Sequence, residues 1–117
     1  MRINEVVFTG ALPVDGYGPG FFRIGGEIRE GAVLLTPEGT RPWGGYEDET
    51  PLLALAGEID VLFVGTGAET AHVPPALRRK LEEAGVGVEG MATGPACRSY
   101  NVLLSEGRRI ALAALPV

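Results

Sequence analysis

A chain of 117 residues, 45% hydrophobic and 21% charged, makes one ordinary domain, and a domain of this length buries roughly two-thirds of its unfolded surface without needing disulfides or metals. Its one cysteine excludes an internal disulfide framework and a cysteine-rich zinc site. The net charge of −5 argues against nonspecific nucleic-acid binding, and no apolar run approaches the roughly 18 residues that span a bilayer.

Ile3 to Thr9 is β-branched and aromatic and predicts a short strand, closed by Gly10. The first residues hold no signal-peptide apolar region and include Glu5, so the chain reads as cytoplasmic, with neither a secretory nor a mitochondrial leader. Pro13 to Gly20, PVDGYGPG, carries too many glycines and prolines for a ladder and predicts a loop. Phe21, Phe22 and Ile24, then Gly25-Gly26, then Ile28 predict a hairpin, because both central positions of a type I′ turn need positive φ. Ala32 to Thr36 is a continuous apolar run that suits a strand buried on both faces, ended by Pro37, Glu38 and Gly39. Arg41 to Trp43 predicts one more short strand before the Gly44-Gly45 break.

The second half alternates helical patterns with apolar runs. Asp48 or Thr50 caps a predicted short helix from Pro51 to about Ala56, stopped by Gly57. Ile59 to Val64 is a second buried strand, left through Gly65-Thr66-Gly67. Pro74 and Pro75 open a helix with Leu77, Leu81 and Ala84 at helical spacing, and Gly85 terminates it. Val86 to Glu89 is a third buried strand. Thr93-Gly94-Pro95 enters a last helix with Ala96, Tyr100, Leu103 and Leu104 along one side, ended by Gly107, and Ile110 to Leu115 is the final strand. Such an alternation implies right-handed crossovers, hence an α/β domain with a mixed sheet, helices packed on it and a β-rich N-terminal half.

In open α/β sheets, ligands bind beyond the carboxyl ends of the strands. Two loops qualify here: Gly65-Thr66-Gly67, whose glycines let amides approach an anion, and Thr93 to Cys97, a helix N-terminus. With parallel neighbouring strands both open on one edge, and a small anionic ligand fits between them. Such turns also serve merely to redirect the chain. Cys97 admits two readings: a thiol activated in the first helical turn, with His72 as a conceivable partner base, or a small buried apolar side chain. Asn101, four residues on, shares its helix face and by default joins a structural hydrogen-bond network. Tyr17, Trp43 and Tyr46 are candidates for a partner-binding surface, the alternative for Trp43 being a core plug. No residue set points to catalysis, a metal or a cofactor.

Four segments in order carry a resemblance across nearly the whole chain. They are Asp15 to Phe21 with Ile24; Trp43 after a strand; Val64 to Gly67; and Met91 to Leu103, MATGPACRSYNVL, followed by Glu106 to Arg109. Together they resemble the Mth-type family known as domain of unknown function 498. The resemblance implies one three-layer α/β domain over residues 1–117, with a central mixed sheet flanked by helices. It also implies a non-enzymatic accessory or assembly role through protein contacts, since eukaryotic relatives include a mitochondrial complex I assembly factor and an adipogenesis-associated protein. The alternative is a small anion-binding protein or enzyme using Cys97 and Gly65 to Gly67. His72 matches no motif of the family, and oligomeric state is left undecided by the residues.

Overall fold

The computed structural model describes residues 10–117, and the strand expected over Ile3 to Thr9 lies outside them. Two sheets form. Strands β1 (Val14–Gly18), β2 (Phe21–Ile24) and β3 (Glu27–Glu30) make a small antiparallel sheet in the order β1-β2-β3. The central sheet contains β4 (Val33–Thr36), β5 (Gly39–Pro42), β6 (Val61–Thr66), β7 (Gly87–Met91) and β8 (Ile110–Leu115), in the order β5-β4-β8-β6-β7. It is mixed: β4 runs antiparallel to β5 and β8, whereas β6 is parallel to both β8 and β7.

Helices α1 (Thr50–Leu53) and α2 (Pro75–Glu83) cover one face, and α3 (Thr93–Ser105) with the small sheet covers the other. Alternation along β8 feeds both cores: Ala111 and Ala113 join Leu77 and Leu81 of α2, while Ile110, Leu112 and Ala114 join Ala96, Cys97 and Tyr100 of α3. The architecture is therefore three-layered, as the resemblance implies.

Several elements match the periodicity. The β2–β3 hairpin turns at Gly25 (φ +60) and Gly26 (φ +82), the two positive angles that the Gly-Gly pair implies. Helix α2 and the run of β8 fall where expected, and β6 and β7 begin one or two residues later than the apolar runs.

Three expectations need correction. Pro13 to Gly20 is not a loop throughout, because Val14–Gly18 pairs with β2. Its glycines answer local contacts: the register shifts between Val14 and Gly16, and a Cβ on Gly18 would fall 2.6 Å from the Phe21 ring. The prolines flank this strand and do not interrupt it. The strand expected over Arg41 to Trp43 is Gly39–Pro42, since Pro37-Glu38 makes a two-residue turn that pairs Thr36 with Gly39. Helix α1 is a single turn whose N-cap is Glu49, with no side-chain cap bond. Asp48 is engaged elsewhere: its carboxylate accepts the Gly44 amide at 2.9 Å, and its carbonyl accepts Trp43 Nε1–H at 3.2 Å.

Candidate functional site

β6 and β7 are parallel neighbours, with Gly65 opposite Met91, so the two candidate loops do open on one edge. There they bind each other. Thr93 Oγ1 donates to the Leu115 carbonyl at 2.7 Å and accepts the Gly67 amide at 2.9 Å, while the Thr93 amide donates to the Gly67 carbonyl at 2.9 Å. One fully buried threonine thus ties the ends of β6 and β8 to the start of α3. Gly65 lies inside β6, and a Cβ there would fall 2.7 Å from Thr93 Oγ1 and 3.1 Å from Thr93 Cα. Its missing side chain admits the helix. Thr66 also ends the strand: its Oγ1 bonds the Glu69 carbonyl at 2.7 Å, lies 3.2 Å from that of Met91, and accepts the Ala71 amide at 3.1 Å.

This arrangement leaves little to hold an anion. The Gly67 and Thr93 amides are occupied, Pro95 has none, and a Cβ on Gly94 would collide with the Tyr17 hydroxyl, which covers that end of α3. Cys97 is 4% exposed within the core under α3, and burial pushes its thiol up to about 11, partly offset by Arg98. Cys97 thus packs as a small apolar side chain, in surroundings that disfavour its thiolate. His72 is exposed beside Val73, which packs into the core on the opposite face of the sheet, so the Cys97/His72 pair is not assembled.

Asn101 makes the structural network expected by default, and does so against one residue. Its Oδ1 accepts the Val14 amide at 2.8 Å and its Nδ2 donates to the Val14 carbonyl at 2.9 Å. Tyr100, fully buried, donates to the Leu12 carbonyl at 2.9 Å, and burial raises its phenol above the usual range. The adjacent pair stitches α3 to the chain entering β1.

The three aromatic candidates do not form one surface. Trp43 is 5% exposed and is a core plug, its ring meeting Tyr46 edge-on at 5.8 Å between centroids. Tyr46 is half-buried against the α2-side core, and that burial raises its pKa. Tyr17, 45% exposed, stands apart on the α3 side. Among the described residues no helix is long and apolar enough to cross a membrane, and no three His, Cys, Asp or Glu side chains gather to hold a metal.

One feature escaped the sequence reading. Along the flank of α3 away from β1, a groove of about 590 Å³ runs over Val61, Phe63, Met91 and Leu103, with Val102 on its rim at 51% exposure. Its signal was present: Val102 is apolar yet lies off the Ala96, Tyr100, Leu103 and Leu104 stripe.

A family model described as "Protein of unknown function (DUF498/DUF598)" matches residues 14–115. An uncharacterized protein of Rhodobacter capsulatus is 52% identical over 117 residues, covering 100% of this chain and 94% of its own. Assembly factor 3 of the NADH dehydrogenase [ubiquinone] 1 alpha subcomplex from Bos taurus is 31% identical over 113 residues, 91% of this chain but 61% of that protein. A solved Mth938-like domain from Bordetella pertussis superposes with a TM-score of 0.74 at 30% identity, covering 90% of this chain and 85% of that one.

Proposed function

The chain belongs to the DUF498/DUF598 family of proteins of unknown function, and from that membership we propose that it is a cytoplasmic, non-enzymatic accessory domain of the assembly type, acting through contacts with another protein near Tyr17. The observation that carries this reading is the 31% identity to a complex I assembly factor over 91% of the chain. The geometry supports it. At the strand ends, where a ligand would sit, Thr93 and Gly67 satisfy one another, and Cys97 is a core side chain whose burial pushes its thiol pKa up. Tyr17 is a large amphipathic side chain standing exposed beside that closed edge, the residue type that anchors interfaces. Trp43 takes no part, being buried, and Tyr46 is secondary.

The test is site-specific photocrosslinking in the native host, with the photoreactive residue at Tyr17 and, as a control, at exposed Arg41. We expect a discrete adduct with a different protein from position 17 and none from position 41. Background labelling alone at position 17, in folded protein, would overturn the proposal.

A further inference from the structure

The outer side of α3 carries exposed Arg98 and Val102, and Glu106, exposed at the C-cap of the helix, continues the four-residue spacing. They share one stripe, with the charged ends roughly 6 Å along the axis from Val102 on either side. Neither Arg98 nor Glu106 joins a salt bridge among the described residues. Arg98 and Val102 also line the open groove over Val61, Phe63 and Met91, as does the exposed carboxylate of Glu89. A cation, an apolar residue and an anion in that order are complementary to the same sequence read backwards, which is the requirement for a two-fold contact.

We infer that this stripe and the groove beside it form a two-fold interface with a second copy of the chain. The two α3 helices run antiparallel across Val102, at the roughly 8–10 Å separation of packed helices. Arg98 then faces Glu106 of the partner subunit, and Glu106 faces the partner subunit's Arg98. The second helix also closes the mouth of the groove and takes Val102 out of water. This goes beyond the assembly role and involves the opposite flank of α3 from Tyr17, so either proposal can fail without the other.

Sedimentation velocity on the full chain over a wide concentration range tests it, with circular dichroism confirming that each variant is folded. The wild-type protein should reach about twice its 12.3 kDa mass. Val102→Asp, Arg98→Glu and Glu106→Arg should each remain at the single-chain mass. Mixing Arg98→Glu with Glu106→Arg should restore the doubled mass, because one copy then carries two anions on the stripe and the other two cations. A wild-type chain that stays monomeric at every concentration overturns the inference and leaves the groove to a segment of another protein. A dimer indifferent to all three substitutions overturns it equally, since its contact would lie on another face.

Discussion

On one flank of α3, Tyr100 and Asn101 give their polar atoms to the backbone of Leu12 and Val14. On the other flank Arg98 and Val102 face outward beside an open apolar groove. Both flanks belong to one helix lying on one sheet, and the difference arises from what passes alongside. The entering chain and β1 bring backbone donors and acceptors that have lost water, so side chains of matching geometry must meet them. The groove flank has a largely apolar floor, the Ser99 hydroxyl against Met91 Sδ, and solvated charge, and it presents no buried backbone group for a side chain to meet. A sealed flank is where substitutions unfold the protein, and an open one is where they alter what it meets.

Truncating the sealed flank should have the largest effect. Tyr100→Ala removes a fully buried aromatic ring together with its bond to Leu12, and should cost about 3–5 kcal/mol in urea unfolding. Asn101→Leu keeps the bulk but leaves the Val14 amide and carbonyl unmet; a loss of about 2 kcal/mol is expected, with faster hydrogen exchange at the Val14 amide. The Cys97 thiol should show in the pH dependence. With its pKa raised from 9.0 to about 11, the native state keeps a proton that the unfolded state releases, so stability falls as pH rises through that window. In Cys97→Ala the fall should be shallower, and the native wild-type thiol should resist labelling near neutral pH. The smallest effect belongs to the open flank: Val102→Ser should change the stability of a single chain by no more than about 0.5 kcal/mol. A large loss there, or none at Asn101, would erase the contrast between the flanks.

The parts that could be read in advance are those governed by local rules. Leu77 and Leu81 at helical spacing, the Gly25-Gly26 turn and the apolar run of β8 each depend on near neighbours in sequence, and each stands where expected. The glycines of β1 misled because glycine composition alone looks the same in a loop and in a strand: Gly18 yields to the ring of Phe21, its partner across the β1–β2 hairpin. The candidate site divides in the same way. Placing Gly65 and Thr93 at one edge followed from parallel strands. That Gly65 exists to admit Thr93, and that Thr93 takes up the Gly67 amide, depends on an approach between segments 26 residues apart, which no local pattern encodes. Asp48 differs, since two local uses compete for it: its carboxylate turns to the Gly44 amide four residues earlier and away from the helix it was expected to cap.

The place of β8 in the central sheet bears on how the protein is made. Ile110–Leu115 follows β4, β5, β6 and β7 in the chain yet lies between β4 and β6. While a ribosome is still working toward Ile110, the β4–β5 hairpin and the β6–β7 pair have no common neighbour, and their apolar inner edges are unmatched. Contacts so distant in sequence form late and slowly, and exposed strand edges in the meantime invite aggregation. Between the completion of β7 at Met91 and the arrival of Ile110 the nascent chain therefore holds two unjoined pieces, and the six residues of β8 make them one sheet.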